Sequence, residues 1–101
     1  MNETTEFARF RQAALDQGFD EVTAREWAPG QRLGTHGHPF AASALVVRGE
    51  MWLTVGEHTR HLRPGDRFEL APDEPHAERY GPAGATYWVA RRHKPRADAE
   101  D

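Results

Sequence analysis

The stretch GQRLGTHGHPFAASALVVRG, residues 30–49, contains two histidines one residue apart, His36 and His38. In an extended strand, residues i and i+2 point to the same face, so both imidazoles can reach one metal ion. A third histidine, His76, comes at the end of a turn-rich loop, directly after Pro75. Two ligands from one strand and a third from another predict a chelating pocket formed by His36, His38 and His76.

The length and composition of the chain indicate one modest domain. Its 101 residues suffice for a single core and no second domain. With 13 basic and 16 acidic residues the net charge is −3, so we expect no nucleic-acid partner. The chain has no cysteine, which excludes disulfides, thiolate ligands and a cysteine nucleophile. Any metal must therefore be bound by imidazole or oxygen donors.

The first 18 residues carry no sign of a targeting segment. They are interrupted by charged side chains and lack the apolar core of a secretory signal. No stretch of the chain approaches the roughly 20 apolar residues that span a bilayer. We therefore expect a cytoplasmic protein with no membrane partner.

One amphipathic helix is predicted near the N-terminus, at about residues 4–17. Apolar side chains recur there with helical spacing, acidic residues lie in the first turn, and Gly18 suits a C-terminal cap. The apolar positions are Phe7, Phe10, Ala14 and Leu15. We assign residues 1–20 to a helical segment that packs on the rest of the protein or on a partner.

After Phe19 the sequence changes to short apolar or alternating runs separated by glycine, proline and aspartate. This pattern is typical of an all-β sandwich or barrel, which we assign to residues 21–92. Residues 93–101 lack an apolar anchor and are expected to form a flexible tail. The candidate strands are residues 22–26, 33–38, 44–47, 51–55, 59–62, 67–70, 76–80 and 86–90, with turns predicted at 48–50 and 81–84.

These spacings resemble the two motifs of the cupins. In the first motif, a glycine is followed after five residues by His-x-His, then by a glutamate and a second glycine, and Gly30, His36, His38 and Gly49 match. In the second, a Gly-Asp pair leads through a proline-containing loop to a histidine, as Gly65 leads to His76 eleven residues later. The glutamate position of the first motif is occupied by Ala42, with Ser43 beside it.

The resemblance implies a double-stranded β-helix, or jelly-roll, with the metal and substrate inside the barrel. It does not select an activity, because cupins include dioxygenases, isomerases, lyases, storage proteins and sensor domains. Three histidines do not distinguish iron, zinc, nickel, manganese and copper. Three neutral imidazoles leave the charge of a divalent ion uncompensated, which favours an anionic or chelating small molecule. No catalytic residue is identified.

A second interpretation remains open. A cupin without its glutamate can also have lost its metal, and the three histidines would then line the pocket of a non-catalytic binding or sensing module. The alternation of a strand places Glu78 and Tyr80 on the face of His76, as a fourth ligand, an outer partner of a ligand or a proton relay. Ser43 is a candidate for holding a water in place of the lost carboxylate.

The other histidines and the aromatic residues have simpler interpretations. His58 and His61 are expected on the surface, and His93 has no evident partner. Phe40 is placed at the mouth of the pocket. A small barrel with open edge strands favours a homodimer. Four aromatic residues in predicted strands are assigned to the core or to an interface: Trp52, Phe68, Tyr87 and Trp88.

Overall fold

The computed structural model of the chain describes residues 3–93. Helix α1 (Glu3–Asp16) is followed by six strands in that part of the chain, and every strand pairing is antiparallel. No helix among residues 3–93 has the length and apolar character needed to span a membrane. The strands are β1 (Glu21–Trp27), β2 (Arg32–His36), β3 (Ala41–Val55), β4 (His58–Leu62), β5 (Arg67–Leu70) and β6 (His76–Arg92).

Two long strands, β3 and β6, form the centre of the fold and pair with each other along most of their length. The first part of β3 also pairs with β5, and its last part pairs with β4. Similarly, β6 pairs first with β2 and later with β1. Because both long strands bend and take different partners on either side of the bend, they connect the two layers of an all-β jelly-roll. This confirms the predicted fold class.

The two turns predicted at residues 48–50 and 81–84 are wrong. The candidate strands on either side of each are continuous, as β3 and β6, and the register between them shifts near Val46 and Gly49. Gly49 and Gly84 have φ angles of 71° and 75°, so they adopt the left-handed backbone that a bulge requires. A Cβ atom on Gly49 would lie 2.1 Å from the carbonyl oxygen of Gly84. The glycines therefore permit a close approach of the two paired strands at a β-bulge, and the chain does not reverse direction there.

The interior is filled by alternating residues of β3 and by side chains from the strands around it. Ala44, Val46, Met51 and Leu53 are buried, while the residues between them lie on the outer face or are only partly buried. This alternation is the two-residue period of a strand with one face toward a core. The core is completed by residues of the strands that pair with β3: Leu62, Phe68, Tyr80, Tyr87 and Val89.

Helix α1 packs on the outer face of β6. The ring of Phe7 meets Trp88 edge-on at 5.3 Å between centroids, and Phe10 lies 5.8 Å from the same ring. Trp88 points away from the barrel interior, and beneath these two rings it is only 4% exposed. Arg48 donates to Glu3 at 2.8 Å and ties the start of the helix to β3. The helix ends predicted from the sequence agree with α1 to within one residue.

We expect the double variant Phe7→Ala/Phe10→Ala to lose about 2–4 kcal/mol of unfolding free energy, since both rings are only partly buried. Urea unfolding followed by tryptophan fluorescence measures this loss, and the emission of Trp88 should shift toward that of exposed tryptophan. Arg11→Ala, at an exposed position of the same helix, is the control and should leave the midpoint unchanged. Equal midpoints for all three proteins would show that the helix does not stabilise the barrel.

Candidate metal centre

The first two predicted ligands lie where β2 ends. His36 is the last residue of β2 and is paired with His76, the first residue of β6. His38 lies beyond the strand, so the prediction of one strand over residues 33–38 is wrong at its end. The backbone N–H of Asp73, in the loop before β6, donates to the carbonyl oxygen of His38. This bond holds His38 beside His76, although His38 lies outside the strands and His76 begins β6.

Gly37 favours this arrangement by leaving room for the neighbouring loop. A Cβ atom at Gly37 would lie 3.3 Å from the carbonyl carbon and oxygen of Asp73. Asp73 itself has a φ of 61°, a left-handed conformation that aspartate tolerates better than most residues. The His-Gly-His segment and the loop before His76 are therefore packed directly against each other.

The three predicted ligands converge. The ring centroids of His36 and His76 are 4.4 Å apart, those of His36 and His38 are 4.9 Å apart, and those of His38 and His76 are 5.1 Å apart. One ring nitrogen from each residue can be chosen so that all three lie within 4.8 Å of one another. His76 is only 2% exposed, while the other two are partly buried at the rim.

Backbone carbonyls fix the tautomers of two of these imidazoles. His36 Nδ1 lies 2.7 Å from the carbonyl oxygen of Gly34, and His76 Nδ1 lies 2.9 Å from that of Glu74. A carbonyl only accepts, so each Nδ1 carries the proton and each Nε2 keeps its lone pair. His76 Nε2 is buried and has no hydrogen-bond partner among residues 3–93. A metal ion satisfies such an atom, and this outer hydrogen bonding is typical of metal-binding histidines, so the residues present fit a divalent transition metal.

The surroundings of His38 favour its neutral form. Burial lowers its pKa below the ordinary value, and the neighbouring His76 and His36 lower the pKa further. Its ring stacks on Phe40 at 4.8 Å with an interplanar angle of 6°. Phe40 therefore covers the rim of the site, which agrees with the position predicted for it.

Glu78 lies beside the histidines on the inner face of β6, as the strand alternation predicted. Its side chain is buried, with Oε2 3.7 Å from His36 Nε2 and 3.6 Å from His76 Nε2. Its other oxygen, Oε1, accepts hydrogen bonds from the hydroxyls of Tyr80 and Tyr87. Burial raises the pKa of both tyrosines far above the ordinary range, so both phenols remain donors. The site is thus more than three neutral imidazoles, because a carboxyl group faces them.

His38 and His76 line a small cavity of about 20 Å³. That is enough for a single water or ion, which needs roughly 10–15 Å³ on this measure. Ala42, at the position of the cupin glutamate, is part of the wall. Ser43 points to the opposite side, toward α1, so it cannot hold a water in place of the missing carboxylate. The cavity is lined by His38, Phe40, Ala42, Phe68, Leu70, His76, Glu78, Tyr87, Val89 and Arg91.

Arg91 is the residue of this cavity that the sequence prediction missed. Its guanidinium carbon lies 4.9 Å from the centroid of the Phe40 ring, and its Nε is buried with no hydrogen-bond partner in the described part of the chain. Its Nη1 is 3.7 Å from Glu21. Counting by twos along the strand from Tyr87 and Val89 would have placed Arg91 on the inner face.

The other three histidines lie outside the centre. His58 and His61 are exposed, as predicted, and His61 stacks on Trp52 at 4.5 Å. The prediction that His93 has no partner is wrong: its Nε2 is 2.8 Å from Glu21 Oε1 and its backbone N–H donates to Asp20. The sequence gives no sign of this contact, since 72 positions separate Glu21 from His93. The rest of the predicted tail, residues 94–101, lies outside the described residues.

The bent two-layered barrel, with His36 and His38 from one segment and His76 from the strand paired with it, defines a cupin fold with a three-histidine site. The chain belongs to the AraC-like ligand binding domain family, whose model matches residues 18–94. The cupin resemblance predicted from the two motifs is thereby confirmed.

Individual proteins resemble parts of this chain. Over 36 residues, it is 44% identical to an uncharacterized HTH-type transcriptional regulator of Haemophilus influenzae, a match to 36% of this chain and 12% of the regulator. A cupin-like protein from Thermotoga maritima has a TM-score of 0.66 at 25% identity, over 77% of this chain and 61% of the other. The DMSP lyase DddQ from Ruegeria pomeroyi has a TM-score of 0.65 at 25% identity, over 79% and 39%. This chain spans less than two thirds of each of these proteins.

Proposed function

We propose that this cupin binds a divalent transition metal through His36, His38 and His76 and acts as a metal-dependent enzyme on a small anionic or chelating molecule. The observation that carries the proposal is the buried, unpartnered Nε2 of His76, which faces two further imidazoles. An uncompensated acceptor of this kind is costly unless a ligand satisfies it.

The donor set suits iron, zinc, copper, nickel or manganese, and imidazole alone does not choose among them. When bound, such an ion polarises an oxygen of the substrate and compensates the negative charge that develops on it. The reaction class we propose is dioxygenase-, isomerase- or lyase-like. The likeness to the DMSP lyase DddQ supports the lyase member of this group.

The surroundings of the site favour a negatively charged molecule. Arg91 lines the cavity with one buried nitrogen unpartnered, so an anion entering beside Phe40 would meet a guanidinium. The cavity of about 20 Å³ has room for a single ion or water, so the substrate would approach from the mouth. We therefore propose a small carboxylate or another oxygen-rich anion.

A second function is favoured by the family itself. The family model is that of an AraC-like ligand binding domain, and one relative is an HTH-type transcriptional regulator. In this alternative the barrel binds a small molecule without converting it and passes the signal to a partner. The histidines would then donate and accept hydrogen bonds to the ligand, and no metal would be required.

Two further proposals come from the sequence. We propose a cytoplasmic location, and a homodimer because the edge strands of a small barrel need cover. Helix α1 covers part of the outer face of β6. A second copy would have to cover a different edge.

The proposed metal is tested by elemental analysis of protein purified without a metal-chelating tag. We expect one transition-metal ion per chain in the wild type and none in His36→Ala/His76→Ala. His58→Ala is the matched control, because His58 is exposed on β4 outside the centre, and it should retain the metal.

Two outcomes would decide between the candidate functions. A wild-type protein that stays free of metal after incubation with iron(II), zinc and nickel salts would overturn the metalloenzyme and leave the ligand-binding module. Metal that is retained equally by the double variant and by His58→Ala would show that it is bound outside the centre.

A further inference from the structure

We propose that Glu78 is the fourth protein ligand of this metal, so that a carboxylate from β6 takes the role of the glutamate that the cupin motif places at position 42 of β3. This inference rests on the proposed metal site and adds to it the residue that completes the donor set. It also defines Tyr80 and Tyr87 as positioning residues that act through Glu78.

The first argument is the distance between the donor atoms. Glu78 Oε2 lies 3.7 Å from His36 Nε2 and 3.6 Å from His76 Nε2. These separations are too long for hydrogen bonds. They are close to the roughly 3.3–3.6 Å that separate neighbouring ligand atoms around an ion bound at about 2.0–2.2 Å. The oxygen therefore lies where a ligand of the same ion would lie.

The second argument is the orientation of the carboxylate. Oε1 accepts from the hydroxyls of Tyr80 and Tyr87, which directs Oε2 toward the histidines. Both tyrosines are themselves fixed by packing. Tyr80 stacks on Trp27 at 4.8 Å with an interplanar angle of 10°, and Tyr87 meets Phe68 edge-on at 5.3 Å. The carboxylate is thus oriented before any ion arrives, as the ligands of a preorganised site are.

The buried carboxylate of Glu78 needs a positive charge beside it. Glu78 is only 6% exposed, and within residues 3–93 the ion-pair contacts found for it are with His36 and His76. Arg91 lines the same cavity, but no arginine or lysine of residues 3–93 lies within ion-pair distance of Glu78, and a buried carboxylate without such a partner is costly. A divalent ion held between Glu78 and the imidazoles supplies that charge. Under this proposal the carboxylate cancels part of the ionic charge, which the sequence alone had left uncompensated.

The position of Ala42 agrees with this exchange. Its small side chain forms part of the wall of the interior cavity, to which Glu78 also contributes. Ala42 and Glu78 thus approach the same space from different strands, β3 and β6. A motif search anchored on position 42 would report the carboxylate as lost, although the barrel supplies one from the opposite direction.

The test is cobalt(II) binding, measured by competition with a chelating indicator and by the visible absorption spectrum of the cobalt-loaded protein. We expect Glu78→Gln, which keeps the shape and removes the charge, to weaken cobalt binding at least about 100-fold and to change the ligand-field bands. Tyr80→Phe should weaken binding about 10-fold with the bands retained, since it removes only the orienting hydrogen bond. Glu69→Gln, at an exposed position of β5, is the matched control.

The outcomes separate this inference from the proposed function. A wild-type protein that binds no cobalt would overturn both. Tight binding by the wild type with the same affinity and spectrum in Glu78→Gln would overturn only the fourth ligand and leave a three-histidine site. If Glu78→Gln does not fold, infrared difference spectra of wild-type protein labelled with ¹³C-glutamate replace it. Cobalt should then shift a glutamate carboxylate band, and an unshifted band would overturn the proposal.

Discussion

Replacing Gly49 by alanine is expected to lower the free energy of unfolding by about 3–5 kcal/mol, a large part of the roughly 5–15 kcal/mol that stabilises a typical domain. The new Cβ atom would lie 2.1 Å from the carbonyl oxygen of Gly84 and 2.8 Å from Ala85 Cα. Both neighbours are backbone atoms of β6 and cannot rotate away. The residue would also have to keep a φ of 71°, which costs an alanine about 1–2 kcal/mol.

The matched control is Gly56→Ala. Gly56 has a φ of 61°, but no heavy atom lies within 4 Å of the Cβ position. It should therefore lose only the backbone cost of about 1–2 kcal/mol. Urea unfolding of both variants measures the difference, which isolates the steric part of the Gly49 effect. Equal losses of unfolding free energy at the two positions would mean that the contact between β3 and β6 at Gly49 tolerates a side chain. Backbone conformation alone would then select glycine.

The bulged pairing of β3 with β6 explains why the sequence predicted two turns that do not form. Arg48-Gly49-Glu50 and Gly81-Pro82-Ala83-Gly84 have the residues that reverse a chain. Local composition does not distinguish a reversal from a bulge, since both need a left-handed glycine. The choice depends on the pairing of Gly49 with Ala85, and the two residues are far apart in sequence. What local spacing does specify was predicted correctly: the helix, the short strands apart from the end of β2, and the alternation of the core.

The candidate site likewise has features that the sequence predicts and features that it does not. The convergence of His36, His38 and His76 could be predicted because the cupin spacing encodes which strands meet. The orientation of Glu78 could not, since it depends on Tyr87, which reaches Glu78 across the barrel after the bend in β6. Strand alternation predicted which face of β6 carries Glu78, but not how its carboxylate is oriented. The partner of an exposed residue such as His93 has no pattern in the sequence at all.

Metal affinity is expected to fall steeply as the pH is lowered through about 6.5 and below, by up to about tenfold per pH unit for each imidazole that must lose a proton. A neutral imidazole donates its lone pair to the ion, whereas a protonated one has none to give. The pKa of His38 is lowered by burial, so its share of this loss begins at a lower pH than for an ordinary histidine. The dissociation constant for cobalt(II) between pH 5 and 8, measured by indicator competition, gives the slope.

The lowered pKa of His38 also determines how the stability of the metal-free protein changes with pH. The unfolded chain protonates His38 at its ordinary pKa near 6.5, whereas the folded protein does so only at lower pH. The unfolded state therefore binds more protons below about 6.5, and the metal-free fold loses stability as the pH falls until it reaches the lower folded pKa. Above 6.5 this contribution is constant.

Phe40→Ala tests whether burial under the phenylalanine ring is the cause. Removing the ring that stacks on His38 exposes the imidazole, so its pKa should return toward the ordinary value. Proton competition with cobalt(II) should then begin at a higher pH than in the wild type, while affinity at pH 8 stays nearly the same. A wild-type affinity that does not change between pH 7 and 5 would contradict imidazole ligation. An onset that Phe40→Ala leaves in place would assign the lowered pKa to the neighbouring charged groups, His76, His36 and Arg91.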